Sequence, residues 1–137
     1  MPPEAPAVHL FAGIAVTDYR RALSWYERLL GSGPSFLPHE TEAVWELGEG
    51  RAVSIVQDAE RTGRAIATAF VDDLDARLGA IAARGLEPAG EETYANDVRK
   101  VTFRDADGNE ISFAGGTGGL IAGRRPTARR SARSRPA

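Results

Sequence analysis

The chain has 137 residues, 42% of them apolar, which fits a single domain with a real hydrophobic core. It contains no cysteine and therefore no disulfide framework, thiolate metal site or cysteine nucleophile. Neither a signal-peptide pattern at the start, MPPEAPAV, nor an apolar run of membrane-spanning length is present, so we expect a cytoplasmic protein with no membrane partner.

The basic residues are concentrated at one end of the chain. Six of the 17 lie in the last 14 residues, so the rest carries 11 basic against 19 acidic residues, although the whole chain has a net charge of only −2. The segment 116–137 is rich in Gly, Pro, Ser and Arg, which predicts a basic disordered tail. Such a tail binds nucleic acid, stays solvated or folds back on the acidic body of the chain. Because no aromatic residue is interleaved with the arginines, we expect no nucleic acid partner.

The first half of the chain predicts a strand, a helix and a hairpin. HLFAGIAV (9–16) is an apolar run of strand length, and Asp18 follows it as a helix N-cap. Apolar residues then recur at helical spacing until Gly31 ends the helix. EAVWEL (42–47) and RAVSIV (51–56), joined by a GEG turn, are typical of two paired strands.

The same order returns in the second half. RAIATAFV (64–71) predicts a strand, Asp73 begins a helix with apolar residues at helical spacing, and Gly85 ends it. RKVTF (99–103) and NEISF (109–113) then predict a second hairpin. The segments between these elements, SGPSFLPHE and EPAGEETYAND, carry glycine, proline and polar residues and are predicted to be loops.

These two halves form an internal repeat. Superposing VTD (16–18) on VDD (71–73) brings Gly31 within one residue of Gly85. The hairpins align Gly50 with Gly108, Trp45 with Phe103, and Ser54 with Ser112. We therefore expect one domain, 1–115, built from two modules of about 8–58 and 64–115.

The acidic cluster within RDADGNEISF (104–113) has two interpretations. Paired carboxylates can hold a hard cation, whereas Asp, Asn and Gly also form turns by bonding their own backbone. Because the equivalent position in the first module is the GEG turn with a single carboxylate, we interpret Asp105, Asp107 and Asn109 as turn formers, with Gly108 supplying a positive φ.

Three stretches resemble the vicinal oxygen chelate superfamily of glyoxalases, bleomycin-resistance proteins and extradiol dioxygenases: VTDYRRALSWYERLLG, FVDDLDARLGAIAARG and VTFRDADGNEISF. The resemblance implies an α+β fold in which two βαβββ modules form an open barrel around a cleft. It also implies that Trp25 and Tyr26, an aromatic pair on the first helix, belong to the core, as the repeat implies for Trp45.

In that superfamily four side chains, two per module, hold a divalent metal. The resemblance places them at Phe11, Ser54, Ile66 and Ser112. Phenyl and sec-butyl groups have no lone pairs to donate, and neutral hydroxyls alone bind a divalent ion weakly. The resemblance therefore implies a cleft that lacks its metal ligands and holds no metal or other cofactor.

A displaced metal site is the alternative. His9 precedes Phe11 by two residues and would share its face of the strand, and Glu110 stands in the same relation to Ser112. A catalytic metal normally needs three protein ligands. The other histidine, His39, lies in the predicted loop SGPSFLPHE and is not expected to supply the third. We therefore do not expect this site to form.

Strand alternation gives the remaining cleft residues. We expect Ile66, Thr68 and Phe70 to share the cleft face, Tyr94 to lie over the ligand as a lid, and Arg99 or Lys100 to contact an anionic group. The full set of predicted cleft residues is His9, Phe11, Ser54, Ile66, Thr68, Phe70, Tyr94, Arg99 and Ser112. Its apolar members either line a pocket or simply fill the space of the missing metal, and the pattern leaves both open.

Two functions follow. The first is a metal-independent, bleomycin-resistance-like protein that sequesters a small aromatic or amphiphilic molecule and has no catalytic residue. The alternative is a glyoxalase-like lyase or isomerase, or a dioxygenase, that uses a displaced metal site. In either case we expect a homodimer.

Overall fold

The computed structural model describes residues 8–116, which contain two helices and eight strands. In chain order the elements are β1 (Leu10–Val16), α1 (Tyr19–Leu30), β2 (Phe36–His39), β3 (Glu42–Gly48), β4 (Arg51–Gln57), β5 (Ile66–Phe70), α2 (Leu74–Ala83), β6 (Gly90–Thr93), β7 (Arg99–Arg104) and β8 (Glu110–Gly115). The fold is α+β, as predicted. The predicted tail, apart from Gly116, lies outside the described residues.

The strands form two open four-stranded sheets that repeat one topology. The orders are β1-β4-β3-β2 in the first sheet and β5-β8-β7-β6 in the second. β1 runs parallel to β4, β5 runs parallel to β8, and the other pairs are antiparallel. A parallel pair requires a crossover, which α1 and α2 begin in their respective modules. The internal repeat of the sequence is thus a repeat of structure.

The helices begin and end at the predicted signals. The side chain of Asp18 accepts a hydrogen bond from the backbone N–H of Arg21 at 3.2 Å, and Asp73 does the same for Ala76 at 3.0 Å. Gly31 ends α1 with φ of 85°, and Gly85, which follows the last cap residue of α2, has φ of 92°. Both glycines adopt the left-handed conformation that terminates helices at little cost.

The prediction that 32–40 and 87–97 are loops was wrong, because each contains a short strand. β2 and β6 are edge strands that pair on one side, with β3 and β7. An edge position tolerates Pro38 and the glycine and acidic residues of β6, which weaken the strand signal in the sequence. Each module therefore contains three strands after its helix.

One hydrophobic core connects the two modules. α1 packs on the first sheet, α2 packs against β8, and the two helices contact each other. Trp45 and Phe103, which the repeat aligns, are both buried. The centroids of the Tyr26 and Trp45 rings are 6.1 Å apart. Trp25 differs from the prediction, since it is half-buried at the edge of this core.

The turn 105–109 has the conformation predicted for it and also joins the modules. Oδ1 of Asp105 accepts from the backbone N–H groups of Asp107 and Asn109, both at 2.9 Å, and Gly108 has φ of 95°. Oδ2 accepts from the Asn109 amide at 2.9 Å and from the Tyr26 hydroxyl at 2.8 Å. Because Tyr26 belongs to α1, this carboxylate bonds to both modules.

Two further side chains of the turn reach the first module. The amide of Asn109 donates to the backbone carbonyl of Ala15 at 2.9 Å, and its oxygen accepts from the N–H groups of Gly63 and Ala65. Oδ2 of Asp107 accepts from the N–H of Thr17 at 3.0 Å. The residues that form the turn therefore also set the position of the second module against the end of β1.

No helix within residues 8–116 is long and apolar enough to cross a membrane.

The bond between Tyr26 and Asp105 generates a prediction about stability. Burial, with the charge and hydrogen bond of Asp105, raises the pKa of the Tyr26 phenol far above its usual value of about 10. Tyr26→Phe should lower the free energy of unfolding at pH 7 by about 1.5–3 kcal/mol, because a buried carboxylate loses a hydrogen bond. Urea unfolding measures this loss.

The pH dependence provides the control. A phenol whose pKa is raised by folding stabilises the native state below its unfolded pKa of about 10, and this contribution declines as pH rises above that value. The difference between wild type and Tyr26→Phe should therefore narrow between pH 9 and pH 11, a range set by that unfolded value of about 10. A gap that stays constant over this range would contradict the assignment.

Candidate ligand-binding cleft

The first half of the candidate cleft lies on the face of sheet one that is opposite α1. Ser54 pairs with Gly13 of β1 and with Val44 of β3, and a Cβ atom placed on Gly13 would lie 3.6 Å from the Ser54 hydroxyl. Phe11, two residues before Gly13, shares this face and is 55% exposed. Phe11 and Ser54 are thus diagonal neighbours on one surface.

The second half repeats this arrangement on sheet two. Ser112 pairs with Thr68 of β5 and with Thr102 of β7, and the hydroxyls of Ser112 and Thr102 lie 2.7 Å apart. Ile66 and Phe70 flank Thr68 on the same face and are 75% and 40% exposed. Ser112 is buried, so its hydroxyl forms part of the floor and the apolar side chains form the accessible surface.

These two halves are not joined by strand pairing. Phe11 and Ser54 lie on sheet one, whereas Ile66 and Ser112 lie on sheet two. β1 and β5 are the outer strands of separate sheets, and each pairs on only one side within residues 8–116. The structure therefore places these predicted cleft residues in two groups, one on each sheet.

The residues at the four family metal positions do not fit a divalent ion. Two are hydrocarbon side chains, and the Ser112 hydroxyl is already engaged with Thr102. Among residues 8–116, no group of three or more His, Cys, Asp or Glu side chains is placed to hold a metal ion. This includes Asp105 and Asp107, whose oxygens accept hydrogen bonds from the turn and from Thr17.

The two residues of the alternative metal site belong to different modules and have other neighbours. His9 precedes β1, with its ring against Gly50 of the β3–β4 turn. Glu110 accepts two hydrogen bonds from the guanidinium of Arg104, at 3.1 and 3.0 Å, and stands opposite Ile66 on sheet two. A carboxylate paired in this way is not available as a metal ligand without breaking the ion pair.

Tyr94 lies in the tight connection between β6 and β7 and not in the long loop that was predicted. Its backbone N–H donates to Val98 at 2.8 Å, and its hydroxyl donates to Glu92 at 3.1 Å. Glu92 also forms an ion pair with Lys100 at 3.6 Å. By strand alternation Glu92 and Lys100 share the cleft face with Thr102, which puts charged groups at this end of the surface.

Arg99 lies on the opposite side of sheet two. It alternates with Lys100 and shares the face of Val101 and Phe103, which pack in the core. Its guanidinium donates to Asp75 of α2 at 2.9 Å and to Glu91 at 3.0 Å, and these bonds raise its pKa. Of the two residues expected to contact an anionic group, Arg99 therefore lies on the core face, whereas Lys100 shares the cleft face with Arg104.

The structure adds residues that the sequence reasoning missed. Val44 and Thr102 lie on the cleft face, and Phe36 of β2 pairs with Val44 there and is 44% exposed. Alternation along β7 was the available signal, since core positions at Val101 and Phe103 place their neighbours on the other face. No such signal identifies Phe36, because the glycine and proline residues around β2 predict a loop there.

Comparison with known proteins gives the same fold. A search of curated proteins finds no match to the sequence. The chain is similar to the crystal structure of a glyoxalase/bleomycin resistance protein from Catenulispora acidiphila DSM 44928, with 55% identity, 80% of this chain and 98% of that chain covered, and a TM-score of 0.77.

More distant structures share the fold. Lactoylglutathione lyase from Agrobacterium tumefaciens is 16% identical over 85% of this chain and 96% of its own, with a TM-score of 0.65. TioX from Micromonospora sp. ML1 is 20% identical over 80% of this chain and 99% of its own, also with a TM-score of 0.65. The family model for the Glyoxalase/Bleomycin resistance protein/Dioxygenase superfamily matches residues 7–113. The chain is a member of that superfamily.

Proposed function

We propose that the protein is a metal-independent binder of a small aromatic or amphiphilic molecule, which it holds on the cleft faces of its two sheets. The observation that carries the proposal is the exposure of Phe11, Ile66 and Phe70 on those faces, where the superfamily places its metal ligands. A surface with exposed apolar side chains over a floor of hydroxyls has the composition of a small-molecule pocket. A carboxylate or imidazole cluster, by contrast, would be the composition of a metal site.

The arrangement of the two half-clefts favours a homodimer as the binding unit. A molecule on Phe11 and Ser54 would be covered from one side only, and the same holds for one on Ile66 and Ser112. β1 and β5 are edge strands that carry exposed apolar side chains, and such edges readily pair with another chain. A second copy that places its β5 beside the first copy's β1 would close both half-clefts at once and bury both edges.

The charges on the cleft face refine the ligand class. Lys100 is partly buried beside Glu92 at one end of sheet two, and Arg104 and Glu110 pair at the other. Between these two ion pairs the surface holds Thr68, Thr102 and Ser112, which are polar but uncharged. A ligand with an apolar body and a few hydrogen-bonding groups matches this lining better than a multiply charged one.

The first test is metal content. After dialysis of the purified protein against Ni²⁺, Zn²⁺ and Mn²⁺, elemental analysis should find no stoichiometric ion, because Phe11 and Ile66 provide no ligand atoms. The double variant Phe11→His with Ser112→Glu, which restores two family ligands, serves as the comparison. One tightly held ion per wild-type chain would instead support the glyoxalase-like lyase or dioxygenase alternative.

The second test compares the two faces of β1, the cleft face with Phe11 and the core face with Ile14. Phe11→Ala should weaken binding of the neutral probe N-phenyl-1-naphthylamine, since an aromatic contact contributes about 0.5–1.5 kcal/mol beyond its buried area. The stability of this variant should change by about 0.5 kcal/mol, as expected for a half-exposed site. Ile14→Ala, on the core face of the same strand, should cost about 2–5 kcal/mol.

Fluorescence titration and urea unfolding measure these two quantities. Leu47→Ala is the matched control, because Leu47 is also about half exposed but stands two residues after the core residue Trp45, on the side of β3 away from the cleft. If Phe11→Ala unfolds the protein as severely as Ile14→Ala, Phe11 fills a closed core and the proposed pocket is absent.

The third test is the association state. Sedimentation equilibrium should give a dimer for the wild type, and Ile66→Asp should weaken the dimer by at least about tenfold, because a charge would be buried at the joined edge. Leu47→Asp introduces the same charge at an exposed site away from β1 and β5 and should leave the dimer intact. A monomeric wild type would rule out the shared cleft.

A further inference from the structure

A groove separate from the cleft lies between α1 and the turn that follows β7. Its volume is about 560 Å³, which is in the range of small-molecule sites. One wall is formed by α1 of the first module and the other by Arg104, Asp105 and Asp107 of the second. The groove shares no residue with the predicted cleft set, although Arg104 also stands at one end of the cleft face of sheet two, and both modules are needed to form the groove.

The α1 wall is made by side chains at helical spacing. Arg21, Trp25 and Arg28 follow one another at intervals of four and three residues, so they lie on one face of the helix. Ala22, on the same face, is small and leaves room in the floor. Seven residues of helix separate the two arginines by about 10 Å, with the indole of Trp25 between them.

Hydrogen-bond donors are in excess in this groove. The side chains of Arg21 and Arg28 form no hydrogen bond or ion pair with any other part of residues 8–116. The acceptors opposite them are already engaged in part or in full. Asp105 accepts four hydrogen bonds, and Asp107 uses one oxygen on the N–H of Thr17.

The groove is lined by as many aspartates as arginines, three of each, so the excess lies in unused hydrogen-bond donors and not in formal charge. Asp18 uses one oxygen on the N–H of Arg21 as the N-cap of α1. Arg104 is neutralised by Glu110, which bonds both its Nε and Nη2 atoms. Two complete guanidinium forks therefore remain unmatched, and their planar geometry suits carboxylate, sulfonate or phosphate oxygens.

Trp25 adds an aromatic surface to these donors. Its ring packs edge-on against Tyr26, with centroids 4.8 Å apart and an angle of 74° between the planes, and it is only half-buried. The remaining surface of the indole lines the groove. An indole between two free guanidinium groups can stack on a flat ring while the arginines bind an acidic substituent.

We propose that this groove is a second binding site, specific for aromatic anions: planar ring systems that carry a carboxylate, sulfonate or phosphate. Such a ligand would contact α1 of the first module and the 104–107 turn of the second, and so would stabilise the junction between them. The site is independent of the ligand proposed for the cleft.

A pair of fluorescent probes tests the proposal on the full chain. 8-Anilino-1-naphthalenesulfonate carries an acidic group, and N-phenyl-1-naphthylamine has the same ring system without it. The double variant Arg21→Gln with Arg28→Gln should weaken binding of the anionic probe by at least about tenfold, as expected for the loss of charge-assisted hydrogen bonds. Binding of the neutral probe should not change.

Two further variants control for charge and for the cleft. Arg20→Gln with Arg64→Gln removes two exposed arginines outside the groove and should leave both affinities unchanged. Phe11→Ala should weaken binding of the neutral probe and leave intact the part of the anionic-probe affinity that Arg21→Gln with Arg28→Gln removes. If that arginine-dependent part is absent, or if the two arginine pairs cause equal losses, the groove proposal is overturned while the cleft proposal stands.

Discussion

The buried carboxylate of Asp105 is the constraint on which the arrangement of the two modules depends. A buried charge is costly unless hydrogen bonds replace its hydration. Three of the four bonds to Asp105 come from its own turn, and the fourth comes from Tyr26 of α1. The carboxylate is therefore fully satisfied only when the second module stands in one position against the first. Asn109 adds to this specificity, since its amide bonds the end of β1 while its oxygen holds the chain before β5.

This junction also determines which surfaces remain for function. The helix faces of both sheets, with α1 and α2, contribute to one shared core. The opposite faces are consequently free, and their apolar residues at Phe11, Ile66 and Phe70 are exposed in the single chain. The same junction creates the groove between α1 and the 104–107 turn. Both candidate binding surfaces are thus consequences of one buried polar contact between modules.

Much of the fold could be predicted from the sequence because local signals and the repeat agree. The caps Asp18 and Asp73, the left-handed Gly31 and the hairpin glycines Gly50 and Gly108 each have a local physical reason that the sequence displays. β2 and β6 were missed because an edge strand needs few hydrogen bonds and tolerates proline, glycine and charge. The face of Arg99 was also mispredicted, because residue type alone does not tell which side of a strand a side chain occupies, whereas the register of β7 with β8 does.

The position of one module against the other could not be predicted from the sequence, for a different reason. Asp105 and Asn109 were correctly assigned to the turn, yet turn formation uses only part of their hydrogen-bonding capacity. The remaining oxygen and amide atoms had to find partners once buried, and nothing in a linear sequence identifies Tyr26 or the carbonyl of Ala15 as those partners. A turn residue that is also fully buried, as Asn109 is, therefore indicates a contact between elements distant in the chain. Arg21 and Arg28 differ in this respect, because both are exposed and water can satisfy their donors; what favours the ligand proposed for the groove is the half-buried indole of Trp25 between them.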